Sequence, residues 1–304
     1  KKQAKISLFP KSETDFTAFD KIDEDFKNWV KNSSDYKYHN LDKDYPTLNL
    51  WHIMGSEKRL SKRQYLFTFY ELDSPTFVEK KLIEAQDKVF MSNPEAVESF
   101  RNLGCENVKY VPLGFDRDFK VIDANSKLVE DKTHFILMGK FEKRKHTKEI
   151  IQAWVEKYGN NNKYLLSCCV INPFIKHEQM NALLSETLDG NHYSNVNFLP
   201  HLKTNSEVNH LVSNHSAHKA WATKDNCILL DANEKEPAAD GLFFTSSGNF
   251  NQGNIYKFDK DQALAAMEKA EEKVGSVNQE GLKLQQEFSY EKTVDFIIEQ
   301  IEND

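Results

Sequence analysis

The chain has 304 residues, 12% of them aromatic and 29% charged, so it has length and apolar material for two domains with separate cores. Its formal net charge of −7 excludes a long-range pull toward nucleic acid or anionic membrane, and any phosphate site must be a local basic cluster. No apolar run approaches a membrane span, the Lys-rich start does not read as a signal peptide, and Cys105, Cys168, Cys169 and Cys227 form no CxxC pair; together these predict a cytoplasmic protein with reduced thiols.

Strand-like and helix-like patterns alternate along the chain. "AKISLF" (4–9) predicts a strand, and "FTAFDKIDEDFKNWV" (16–30) places apolar residues at helical spacing. "TLNLWHI" (47–53) and "QYLFTFY" (64–70) are apolar runs of buried-strand length. A helix over 76–85, a strand over 88–92 and a helix over 93–104 follow. That last helix has Pro94 in its first turn, a Ser92-x-x-Glu95 capping box and Gly104 as its stop. "NVKYVPL" (107–113) is the next strand. After a polar stretch at 121–132, which predicts a linker, the rhythm restarts with a strand at 134–139, a helix at 147–159, a strand at 164–171, a helix at 177–188 and a strand at 196–202. This alternation predicts an α/β protein with two parallel sheets, each covered by helices.

Most chemical signals are weak. Asp-x-Asp occurs at 23–25, 42–44, 116–118 and 259–261, which a chain with 47 acids produces by chance. His215 and His218 have no ligand set to complete a zinc site, and neither a G-x-S-x-G elbow, a P-loop nor a G-x-G-x-x-G is present. One cluster stands out in "FILMGKFEKRKHTKEII" (135–151). A strand ends at Gly139, a short loop carries Lys140, Lys143, Arg144 and Lys145, and a helix begins near Thr147. Glycine permits the sharp exit, and a helix start adds N–H groups and a positive dipole end. Cations converging there would bind a diphosphate and stabilise it as a leaving group; the alternative is an ordinary solvated basic loop.

"LFTFYELD…AQDKVFMSNPEAVESFRNLGCENVKYVPLGFDRDF" resembles the end of the first domain of group 1, retaining glycosyltransferases, and "MGKFEKRK" resembles the G-(R/K)-x-x-x-x-K start of their second domain. The later stretches 214–230 and 240–268 are similar to the tails of such enzymes from some marine bacteria and phages. The resemblance implies a GT-B architecture, with two Rossmann-like domains facing across a cleft. It implies an acceptor-side domain over 1–125, a nucleotide-sugar domain over 126–287, and a C-terminal helix within 288–304 packing back on the first domain. Lys140 and Lys145, with Gly139 and Arg144, would bind the diphosphate. Leu199 and His201, at the end of "NVNFLPHL", would meet the base. Asp116 and Asp118 become part of a joint between domains rather than a metal site.

Two departures from the family pattern matter. An acidic E-x7-E phrase is expected after the base-binding strand, yet "EVNHLVS" runs directly into "NHSAHKAW" at Ser213–Asn214. Glu71/Glu79 and Glu178/Glu186 have the spacing in the wrong places. We read the junction as a stretch omitted from this sequence, with a true deletion as the alternative. Also, many relatives carry a His where this chain has Tyr70 and Glu71. Glu71 is therefore a candidate to orient or deprotonate the acceptor, and His52 a second acceptor-side candidate; a helix-capping or surface acid and a hydrogen-bonded core histidine are the competing readings. The implied activity is metal-independent sugar transfer, with retention, from a nucleotide-sugar donor to a hydroxyl on a carbohydrate, lipid or protein. No cofactor is expected. A sugar-nucleotide epimerase or phosphorylase, or a non-catalytic nucleotide- or sugar-binding module, is the alternative.

Overall fold

Two all-parallel sheets organise the chain. The computed structural model describes residues 5–19, 21–41, 44–114, 131–204 and 222–304. Asp116, Asp118, His215, His218 and the Ser213–Asn214 junction lie outside these described residues.

After helix α1 (Glu24–Tyr36) come β1 (Thr47–Leu50), β2 (Gln64–Thr68), α2 (Phe77–Glu84), β3 (Lys88–Met91), α3 (Pro94–Asn102) and β4 (Val108–Tyr110), with the strands in spatial order β1-β2-β3-β4. Tyr65, Leu66, Val89, Phe90 and Met91 are fully buried on both faces of the central strands, as expected of a parallel sheet covered on both sides. The second sheet holds β5 (Thr133–Met138), β6 (Tyr164–Cys169) and β7 (Val196–Phe198), in that order, with α4 (Thr147–Tyr158) and α5 (His177–Thr187) between them in sequence. Ile151, Trp154, Leu166, Cys168 and Met180 form its core. In each sheet every strand ends on the same edge, where ligands of open α/β sheets bind.

The rest of the chain ties the two halves together. β8 (Lys235–Pro237) and β9 (Asn254–Tyr256) form an antiparallel ribbon, followed by α6 (Lys260–Glu271), α7 (Gln279–Glu287) and α8 (Tyr290–Glu302). Ala238, Phe244 and Ile255, from this ribbon and its connection, share one apolar cluster with Tyr70, Leu72 and Phe100 of the first sheet. Asp73 fixes the ribbon by accepting from Lys235 Nζ at 2.7 Å and from the Asn254 amide at 2.8 Å. Buried Glu79 accepts from the Thr76 amide at 2.8 Å and the Asn251 amide at 2.9 Å, so it is both the acid of the α2 capping box and an anchor for the ribbon connection. α8 also returns to the first sheet: Ile297 packs with Tyr65, Phe90 and Val111, and Thr293 Oγ1 donates to the Pro112 carbonyl at 2.7 Å.

Three local expectations need correction. Residues 5–9 form no strand; the Leu8 amide bonds to the Ser33 carbonyl instead. A strand requires a paired edge, and the outer edge of β1 has no strand beside it among the described residues. The first helix begins at Glu24 rather than 16, because Asp23 caps it by accepting from the Asp25 amide. Finally, Asn93, not Ser92, caps α3, accepting from the Glu95 amide at 2.9 Å with Pro94 at the first helical position.

Candidate functional site

The loop from Gly139 to His146 joins β5 to α4. It is held at its base by the Gly139 amide on the Cys169 carbonyl and by the Phe141 amide on the Val170 carbonyl. Gly139 has φ +124°, and a Cβ there would lie 3.3 Å from both Cδ and Nζ of Lys145. Glycine is thus needed twice, for its backbone angle and because the Lys145 side chain folds over it. Lys143–Lys145 make one 3₁₀ turn, and His146, with φ +50°, turns the chain into α4 while its Nε2 meets the Tyr256 carbonyl at 2.6 Å. The loop therefore lies against the ribbon as well as its own sheet.

Three cations converge on one carboxylate. Glu142, with its side chain 3% exposed, is 3.1 Å from Arg144, 3.3 Å from Lys140 and 3.8 Å from Lys145. The Lys140 ammonium also lies over the rings of Phe174 and Phe243, at 5.1 and 5.3 Å from their centroids, close enough for cation–π attraction. Arg144 reaches the loop after β2, where its Nη2 meets Glu71 Oε1 at 2.9 Å, and its Nε is buried without a hydrogen-bond partner among the described residues. Burial pushes the Lys145 ammonium below its ordinary pKa; Arg144 and Lys140 push the same way, against Glu142 and Glu71. Lys143 turns aside to Glu236, 3.6 Å away.

The structure thus brings together Gly139, Lys140, Arg144, Lys145 and Glu71. Glu71 follows the C-terminal end of β2, its side chain 49% exposed and its carboxylate on Arg144. It caps no helix; that role falls to Thr76 and Glu79. His52 follows β1 and is exposed, its ring edge-on to Trp51, and no hydrogen bond, ion pair or ring contact joins it to the cation loop among the described residues. The core-histidine reading of His52 is therefore wrong. Leu199 continues the pairing with β6 through its amide on the Cys168 carbonyl, and His201 is exposed two residues further on. Both lie at the same edge of the second sheet as Gly139. Glu186 pairs with Lys148 at 2.5 Å on the helical layer, which explains it without catalysis. Among the described residues no group of three or more His, Cys, Asp or Glu side chains could hold a metal ion, and no helix is long and apolar enough to cross a membrane.

Sequence reasoning missed Glu142, Phe174 and Phe243. Phe174, 63% exposed just past β6, meets Phe243 edge to face with centroids 5.2 Å apart. For Glu142 and Phe174 the signal available was position alone, since residues following a parallel strand line the ligand-binding edge; Phe243, in the connection of the antiparallel ribbon, had no such signal.

A structure described as trehalose-6-phosphate from E. coli bound with UDP-2-fluoro glucose overlays 89% of this chain and 76% of its own, with a TM-score of 0.53 and 12% identity. The fold is GT-B. An S. aureus TarM mutant in complex with fondaparinux, alpha-GlcNAc-glycerol and UDP overlays 79% of this chain and 51% of its own, with a TM-score of 0.44 and 11% identity. A chain described as trehalose-6-phosphate synthase overlays 56% of this chain and 50% of its own, with a TM-score of 0.39 and 10% identity. This GT-B chain spans about three quarters of the first of these proteins and about half of the other two. No protein-family model matches it, and a search of curated proteins finds no match.

Proposed function

We propose that this GT-B protein is a retaining glycosyltransferase of the group 1 type, using a nucleotide-sugar donor without a catalytic metal. The observation that carries the reading is the convergence of Lys140, Arg144 and Lys145 after β5, facing Glu71 from the other domain at 2.9 Å. Such a cluster suits a diphosphate, whose oxygens accept charge-assisted hydrogen bonds in place of a metal's coordination. The buried, unpartnered Nε of Arg144 and the half-buried ammonium of Lys145 support it, because groups held out of water gain most from an anionic ligand. The UDP-sugar named with one GT-B structure is a further support by analogy.

In this reading the acceptor hydroxyl attacks the anomeric carbon from the face that the diphosphate leaves. The sugar–phosphate bond breaks, and its electrons go to a diphosphate oxygen held by Lys140, Arg144 and Lys145. Glu71, released when Arg144 turns to the diphosphate, orients the acceptor hydroxyl or takes its proton. Leu199 and His201 contribute to the base subsite. We place the protein in the cytoplasm, where its four free cysteines stay reduced.

A thermal-shift panel of UDP-, GDP- and ADP-sugars tests the reading, because a ligand that binds only the folded state raises its midpoint. One donor should shift the midpoint, and incubation with acceptors should release its nucleoside diphosphate. A panel without any shift contradicts the proposal.

A further inference from the structure

Glu142 is the single acid in a loop otherwise built of cations, and it is the most buried side chain among them. Its carboxylate is within 4 Å of Lys140, Arg144 and Lys145, and its carbonyl accepts from the Lys145 amide at 3.1 Å, closing the 3₁₀ turn. A buried carboxylate is costly unless cations surround it, and three like charges gathered on one loop repel unless an anion sits between them. Each arrangement requires the other.

We propose that Glu142 is a positioning residue of the phosphate-binding loop, an internal counter-ion that keeps Lys140, Arg144 and Lys145 converged before the diphosphate arrives. The inference rests on the diphosphate reading above. Each cation has a second hold: Lys140 on the rings of Phe174 and Phe243, Arg144 on Glu71, and Lys145 in the space above Gly139. These holds involve different partners, and Glu142 is the group all three share. Without it the long side chains relax toward solvent, and the ligand must order them again on binding.

The sign of one substitution decides the matter. Glu142→Gln keeps shape and an acceptor oxygen but removes a negative charge from the anion site. Coulomb attraction alone would then make UDP bind more tightly, whereas loss of the assembled cradle makes it bind more weakly. Calorimetric titration with UDP, GDP and ADP should show at least fivefold weaker binding by Glu142→Gln, with Glu142→Asp, too short to reach all three cations, in between. The charged groups facing Lys145 are Glu142, Arg144, Lys140 and Glu71. Removing the Glu142 charge should therefore move the alkaline loss of affinity to lower pH, a change that mere loosening of the fold would not produce. Equal or tighter binding by a folded Glu142→Gln, with the pH profile unmoved, overturns the role of Glu142 and leaves the diphosphate reading standing. If that variant does not fold, parental affinity in Glu142→Asp overturns it instead. A parent protein that binds none of the three nucleotides overturns both.

Discussion

The two sides of the cleft are built differently. On the second-domain side, Gly139, Lys140, Glu142, Arg144 and Lys145 constrain one another through a positive φ, a buried carboxylate and a side chain folded over a glycine. On the first-domain side, Glu71 and His52 are exposed at the ends of two strands, and Glu71 is held by a partner from the opposite domain. The difference teaches that the loop is held by contacts among its own residues, while Glu71 on the facing side is held by the loop. A site of the first kind can be disrupted by one residue; a site of the second kind is completed by its ligand.

The largest expected effect tests the weaker side. Glu71→Gln preserves size and removes charge, so turnover should fall by roughly two to four orders of magnitude, the range of a positioned acid–base group. Nucleoside diphosphate affinity should not fall, since the substitution frees Arg144 from a competing carboxylate. A Gln variant with parental transfer rate would reduce Glu71 to a structural tie between the domains.

The stronger side breaks differently. Replacing Lys140 and Lys145 together by Ala removes two charge-assisted contacts of roughly 1.5–3 kcal/mol each. Calorimetry should then show at least a tenfold loss of UDP or GDP affinity, and the melting midpoint of the ligand-free protein should fall as well, because buried Glu142 keeps only Arg144 of its three cations. Parental affinity would mean that the loop is an ordinary solvated basic turn.

The ribbon between the two sides gives the smallest effect. Burial raises the Asp73 pKa, but hydrogen bonds from Lys235 and Asn254 outweigh it and hold the carboxyl below its ordinary 3.8. Its stabilising contribution is thus present above an unfolded value of about 3.9 and is lost as pH falls through the lower folded value. Asp73→Asn should lower the melting midpoint by a few degrees at pH 7, consistent with a loss of about 1 kcal/mol, and by less near pH 3. An equal deficit at both pH values would show that packing, not charge, holds the ribbon.

The contrast also explains what could be read from sequence. The alternation of elements and the glycine-then-cations phrase at 139–145 are local patterns, and both emerge in the structure, although the strands end before the expected residues, β7 at Phe198 rather than 202. The Glu71–Arg144 pair and the shared apolar cluster of Phe244 with Tyr70 and Phe100 join residues far apart in the chain, so no local pattern announces them. Glu142 was illegible for another reason. An acid among lysines reads as solvated, and only the folded loop shows that the lysines surround it. The strand expected at 4–9 failed because apolar spacing does not supply a pairing edge.

The central claim is that the loop binds a nucleoside diphosphate through its own cations. The most direct test is the affinity of the parent protein for UDP, GDP and ADP in EDTA, measured by calorimetry from pH 7 to pH 10. The account predicts that at least one binds without added metal. It also predicts that binding weakens as pH rises through the Lys145 value, below the 10.5 of an ordinary lysine, because the diphosphate favours the protonated ammonium. Binding that appears only after Mg²⁺ or Mn²⁺ is added would contradict it.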